Sequence, residues 1–225
     1  ISGLGKLFNC VDNHKINKII NQYPERFIGA YFVRPGVSTA SEIEEAHNDG
    51  FRMLKVSIPK GPYDDEMFDQ LWERAQELNM PVLFHTGVVT LPQYAPEERI
   101  SSWWMHPIRL EPISNSFPEL KIIVAHLGIH WNEEAAELLR MRSNVYADLT
   151  GEPDGWRIRM DRRGLKQILW WEGGFDKLVF GTDVSFDKIP TILTQDKARL
   201  ESLNINKKTK QKFFSKNILT LLGEK

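Results

Sequence analysis

The sequence predicts an α/β fold built on parallel strands, either a doubly wound sheet or a (β/α)8 barrel. Two observations predict it. Short apolar runs alternate with longer amphipathic ones, which implies parallel pairing through right-handed helical crossovers. The short runs are apolar on both faces, as in a sheet covered by helices. A third observation gives the fold a working end: several of these runs finish on an ionisable residue, as in KIIVAHLG (Lys121 to Gly128).

The elements follow in order. RFIGAYFV (Arg26 to Val33) reads as a buried strand that stops at Arg34-Pro35. SEIEEAHNDG (Ser41 to Gly50) reads as a helix with a serine N-cap, an acidic first turn and a terminal glycine. FRMLKVSI (Phe51 to Ile58) is the next strand. Asp64 to Asn79 has helical periodicity, with Met67, Leu71, Ala75 and Leu78 on one face. PVLFHTG (Pro81 to Gly87) is a strand, and Val88 to Ser102 a loop holding Pro92 and Pro96. A helix over His106 to Phe117 precedes the strand KIIVAHLG. A helix over Glu133 to Arg142 precedes the strand NVYADLTG (Asn144 to Gly151). A polar loop leads to a helix over Leu165 to Trp171, and KLVFGTDVSF (Lys177 to Phe186) is the last strand. Helices over Ile189 to Leu203 and Lys207 to Leu222 close the chain.

Six strands result, whereas a closed barrel needs eight, so two βα units are unaccounted for. They are expected at the N-terminus, because ISGLGKLFN reads as the loop leaving a strand and the chain begins with Ile. With 225 residues, 41% of them hydrophobic, and no linker or shift in composition, residues 1–225 read as one domain. A net charge of −1 gives no general field for nucleic acid or an anionic membrane. No apolar run reaches bilayer length, and no secretory signal is visible. The single cysteine, Cys10, excludes an internal disulfide and a thiolate metal cluster, so a reducing cytoplasm is expected.

His85, His126 and Asp183 each end a predicted strand. On a barrel those ends share one rim, the active-site face. Two imidazoles and a carboxylate suit Zn²⁺ or another divalent first-row ion, on which a water becomes a nucleophile near neutral pH. Asp148, near the end of its strand, reads as a capping or salt-bridging residue. Lys55 reads as a snorkelling or loop-pairing lysine, with a carboxylated metal ligand or an anion-binding group as the alternatives. His14 and His47 are expected in solvent. His106 follows Trp103 and Trp104 at a helix start, where substrate contact is one reading. His130 is close enough to His126 to line the mouth. The tryptophan pair either caps an apolar pocket or packs a loop on the rim. Arg157, Arg159, Arg162 and Arg163 form either a carboxylate clamp or a solvated basic face.

From Tyr23 onward, YPERFIGAYFVRPG, GFRMLKVSIP, PVLFHTG, FPELKIIVAHLG, NVYADLTG and DKLVFGTDVSF occur in an order that resembles the amidohydrolase-2 branch of the amidohydrolase superfamily. The resemblance implies a TIM barrel and a metal-dependent hydrolase or nonoxidative decarboxylase. It implies that His85 is a metal ligand, that His126 binds or orients the metal-held water and shuttles protons, and that Asp183 is a ligand or general base. The His-x-His or Glu-x-His pair that opens the family pattern is missing, which fits a chain starting just after strand two. The expected function is hydrolysis of an ester, lactone or amide of a small molecule by metal-activated water. The alternatives are decarboxylation of an aromatic or unsaturated acid, for which the tryptophans and arginines suit a flat anion, and a noncatalytic barrel remnant. A homodimer is an option by resemblance alone.

Overall fold

The computed structural model describes residues 1–89 and 99–224. Its centre is one parallel sheet of six strands, β1 (Ala30–Val33), β2 (Met53–Val56), β3 (Val82–Phe84), β4 (Ile122–Val124), β5 (Val145–Asp148) and β6 (Leu178–Val179), in the order β1-β2-β3-β4-β5-β6. Each strand pairs with the next in sequence, and helical segments make the crossovers. This is the winding of a (β/α) barrel and not of a doubly wound sheet, whose strand order reverses. Among the described residues β1 and β6 do not pair with each other, so the six strands form an open arc. Ser2 makes an isolated parallel bridge to Ala30 on the outer edge of β1.

Period-two alternation sorts the strand residues onto two faces. Leu54, Val56, Val82, Phe84, Ile122, Val124, Val145 and Ala147 enter the large core beneath the helices. Phe84 anchors it, edge-on to Trp72 at 5.0 Å and to Tyr63 at 5.1 Å; truncating such a ring costs about 3–5 kcal/mol. On the inner face, Ile123, Val179 and Leu221 are buried with Met53, Leu83, Tyr146 and Ile218 partly covered. Both faces are apolar, as a covered parallel sheet requires.

The helices are α1 (Asn13–Gln22), α2 (Ala40–Asn48), α3 (Asp69–Glu77), α4 (Leu110–Ser116), α5 (Asn132–Met141), α6 (Trp156–Arg163), α7 (Leu165–Ile168), α8 (Ile189–Ser202), α9 (Lys207–Gln211) and α10 (Asn217–Leu221). Four expectations change. The cap of α2 is Thr39, not Ser41: its hydroxyl accepts from the Glu42 N–H while the Glu42 carboxylate accepts from the Thr39 N–H, so two orphan donors are satisfied at once. The expected helix from Asp64 begins as a 3-10 turn, Glu66–Phe68, which rotates the apolar stripe; Met67 is 69% exposed and Phe68 is buried in its place. The polar segment before Leu165 is itself the helix α6, and the closing helix is interrupted by a π-helical turn, Lys212–Lys216. Most of the predicted Pro92/Pro96 loop lies outside the described residues. No described helix is long and apolar enough to cross a membrane.

Candidate active site

His85 directly follows β3 and His126 comes two residues after β4, while Asp183 comes four residues after β6. The structure brings the three together. His85 Nδ1 and His126 Nε2 are 3.2 Å apart, and Asp183 Oδ2 is 3.7 Å from the same His126 nitrogen. The rings meet edge to face with centroids 5.1 Å apart.

The backbone is bent to make this meeting. His126 and Leu127 hold left-handed φ values of 58° and 43°, and Asp183 has φ 52°. L residues take such angles at a cost, and they concentrate where function over-determines the chain. Two glycines make room. At Gly87, φ 104°, a Cβ would stand 1.8 Å from the Ile129 side chain. At Gly181 a Cβ would meet the Thr150 methyl at 2.6 Å. These are the glycines of the HTG and GTD motifs, so each motif pairs a polar residue with the gap that admits its neighbour. Thr86 Oγ1 donates to the Ala125 carbonyl at 2.6 Å and ties the ends of β3 and β4 together.

His126 is held on every side. Its backbone N–H donates to Asp148 Oδ1 at 2.7 Å. The same carboxylate oxygen accepts from the Thr150 N–H at 3.0 Å and from the Thr150 hydroxyl at 2.7 Å. That hydroxyl has one proton, and the carboxylate takes it. Toward His126 Nδ1, 2.7 Å away, Thr150 Oγ1 is therefore the acceptor. The network assigns the proton of neutral His126 to Nδ1 and leaves the Nε2 lone pair facing His85 and Asp183. Asp148 thus plays the capping part expected of it, and what it caps is the backbone of His126. Thr150 was not singled out from sequence. It lies two residues beyond Asp148 in ADLTG, and the period-two spacing was the available signal.

Burial pushes the His85 imidazole well below its usual titration range; His126 and Lys55 push in the same direction. His85 is a neutral base in this setting. Its Nε2 is buried without a hydrogen-bond partner. Tyr63, fully buried, donates its hydroxyl to the His85 carbonyl at 2.9 Å, and burial raises the Tyr63 phenol. Ligands about 2.0–2.1 Å from a tetrahedral ion stand about 3.3 Å apart, so the spacing of the two nitrogens fits a shared divalent ion. A histidine donating its far N–H to a fixed acceptor is the usual support for such a ligand. The third donor is less advanced: Asp183 is half exposed, and no three His, Cys, Asp or Glu side chains among the described residues make a finished ligand group.

The other candidates lie elsewhere. His14 is exposed, and His47 is half-buried rather than solvated. His130 is exposed and lines a separate cleft of about 660 Å³ with Glu133, Glu137 and Trp170. His106 is a buried cap, its Nδ1 accepting from the Ile108 N–H at 3.2 Å; burial lowers its pKa, and its ring packs between Trp103 and Trp131. Trp103 is 53% exposed on this aromatic shelf, and Arg109 lies over it at 5.9 Å. The arginine cluster separates. Arg157 is buried against Asp196 at 2.5 Å, Arg159 is exposed, and the side chains of Arg162 and Arg163 lie outside the described residues. Lys55 is buried and, among the described residues, makes no ion pair to a loop; of the two expected parts it takes the snorkelling one.

An amidohydrolase family model matches residues 8–223. An uncharacterized TIM-barrel protein of Bordetella bronchiseptica superposes with a TM-score of 0.70 at 18% identity, over 95% of this chain and 73% of that one. A probable 2-pyrone-4,6-dicarboxylic acid hydrolase of Acinetobacter baumannii, solved with citric acid bound, gives 0.65 at 17% identity, over 94% and 78%. A 5-carboxyvanillate decarboxylase of Novosphingobium aromaticivorans, solved with manganese, gives 0.63 at 20% identity, over 94% and 68%. The chain covers 37% and 33% of the lengths of two curated relatives that it matches. The strand order, the helical crossovers and the match across nearly all of the sequence agree, and the chain belongs to the amidohydrolase family.

Proposed function

We propose that this chain carries the catalytic face of a metal-dependent hydrolase that opens an ester, lactone or amide of a small molecule. The observation that carries the reading is the convergence of His85 Nδ1, His126 Nε2 and Asp183 Oδ2, at separations of 3.2 and 3.7 Å, on the C-terminal rim of the sheet. His85 and His126 would hold a divalent ion as neutral imidazoles, with Asp183 closing on it or standing beside it. Zinc suits two nitrogens and a carboxylate, and the decarboxylase solved with manganese supports manganese as the second candidate. Such an ion supplies Lewis acidity and brings the ionisation of water to near neutral pH.

The rest is done by side chains. Asp183, half exposed and 3.7 Å from His126, is placed to take a proton from the attacking water as its oxygen bonds to the substrate carbonyl carbon. The bond to the leaving group then breaks, and Asp183 returns the proton to it. Thr150 and Asp148 keep His126 in one tautomer throughout. The test is ion-dependent turnover on a panel of lactones, esters and amides, with Asp183→Asn as control. Full activity in that variant would sink the reading.

A second reading is nonoxidative decarboxylation of an aromatic acid. It is supported by the shelf of Trp103, His106 and Trp131, whose flat faces suit an aromatic ring, and by the likeness to the decarboxylase; Arg109, over Trp103, is already paired with Asp64 at 3.1 Å. Release of CO₂ from hydroxybenzoates, without hydrolysis of any panel member, would select it.

A further inference from the structure

Lys55 stands apart from the other buried cations. Arg157 and Arg199 are matched by Asp196 and Asp161. The ammonium of Lys177 donates to the carbonyls of Arg142, Ser143 and Val145. Lys55, in the middle of β2, is 6% exposed, yet among the described residues it makes no ion pair and no side-chain hydrogen bond. Lysines this deep are rare unless paired, because losing hydration is costly. Its ammonium is not among the fully buried polar atoms, so the stem is enclosed while the tip still meets solvent.

The tip's direction follows from the pleat. Leu54 and Val56 enter the helix-covered core, so Lys55 projects from the opposite, inner face, as Met53 does. Lys55 pairs in register with Leu83, two residues before His85 on that same face. The ammonium is near enough to His85 to help hold its imidazole neutral. Asp183 has its own neighbour in the site, 3.7 Å from His126 Nε2.

We propose that Lys55 is the anion anchor of this site: its ammonium receives a carboxylate of a small-molecule ligand seated over the ends of β2 and β3. This rests on the placing of the active site argued above and narrows its ligand to small molecules bearing a carboxylate. A lysine is a compact charge with three rotatable donors, so it holds a carboxylate without the fixed two-point fork of an arginine.

Benzoate and its neutral isostere benzamide, titrated into the purified protein by calorimetry with and without added zinc, test the anchor. Wild type is expected to prefer benzoate about tenfold or more, the weight of one charge-assisted hydrogen bond. Lys55→Met should bring the two ligands level, and Lys55→Arg should restore the preference. No preference in wild type, or an undiminished preference in Lys55→Met, overturns the proposal. Should the Met variant not fold, acetylation of wild type by acetic anhydride, followed by peptide mass mapping, gives the answer. Benzoate should slow modification at Lys55 and leave exposed Lys18 untouched. An unprotected Lys55, or one already carrying an added carboxyl group, overturns it. No arm reads turnover: benzoate held through Lys55 in an inactive protein retains the anchor and removes the reaction, and activity without charge preference does the reverse.

Discussion

Lys55 lies within β2 and Lys177 immediately before β6; both are drawn in from solvent, at opposite ends of the sheet. Lys177 gives its three donors to three carbonyls at 2.8–3.1 Å and lies 4.9 Å over the Tyr146 ring. Lys55, toward the C-terminal rim, has no such partners among the described residues. The contrast extends to their surroundings. At the N-terminal end, buried Asn144 accepts from the Ser114 hydroxyl at 2.7 Å and donates to the Leu120 carbonyl at 2.9 Å. At the rim, His85 Nε2 has no partner and Asp183 is half exposed. Burial of a polar group therefore does not mark function by itself. At one end Lys177 and Asn144 are answered by carbonyls and a hydroxyl, and at the other, among the described residues, His85 Nε2 is not.

The comparison breaks if substitutions at the two ends act alike. The largest effect is expected at the rim: Asp183→Asn should lower kcat by about 10²–10⁴-fold while the thermal midpoint stays within experimental error. Equal losses of activity and stability would erase the distinction between the ends. At the other end, Asn144→Ala should destabilise by about 1–3 kcal/mol in urea unfolding, because it strands buried groups of Ser114 and Leu120. The residual kcat of the folded fraction should not change. Thr150→Val, which removes the nearer acceptor for His126 Nδ1–H and leaves only the Thr150 carbonyl at 3.2 Å, should weaken zinc affinity about 10–100-fold in competition with a chelator. Thr150→Ser should retain it, and a uniform loss in both would make Thr150 a packing residue only.

The smallest effect concerns Lys177. Burial lowers its pKa from 10.5 to about 8. Between those values the unfolded chain holds a proton that the folded chain has released, so stability should rise as pH increases from about 8 to 10.5. Lys177→Met should flatten that slope between unfolding midpoints at about pH 8 and about pH 10. An unchanged slope would assign it to other groups; Tyr63 is not one of them, because a phenol that burial raises makes stability fall, not rise, as pH climbs through its unfolded value.

Much of this was legible in the chain. All six strands fall inside the predicted apolar runs, because a strand covered on both faces must be apolar throughout, and that leaves a plain signature. Boundaries were less legible. RFIGAYFV spans eight residues and only Ala30–Val33 pair, since apolarity reports burial and not hydrogen bonding. The N-cap of α2 went to Thr39 over Ser41 because a capping box is decided by geometry among residues that are alike in chemistry. Trp131 joined the shelf of Trp103 and His106 from another loop, a contact no local spacing announces.

Local pattern and residue type carry the alternation of strand and helix and the family likeness, and they nominate His85, His126 and Asp183 as candidates near strand ends. Folding set which nitrogen of His126 faces the site. It also decided that Asp148 serves His126 through its backbone, that Arg157 is buried against Asp196, and that Lys55 goes unpaired where Lys177 is saturated. The physical reason is that these are properties of pairs distant in sequence. A hydrogen-bond partner or a buried charge is set by what another strand or helix brings within about 3 Å, and neither residue's own neighbourhood in the chain contains that information.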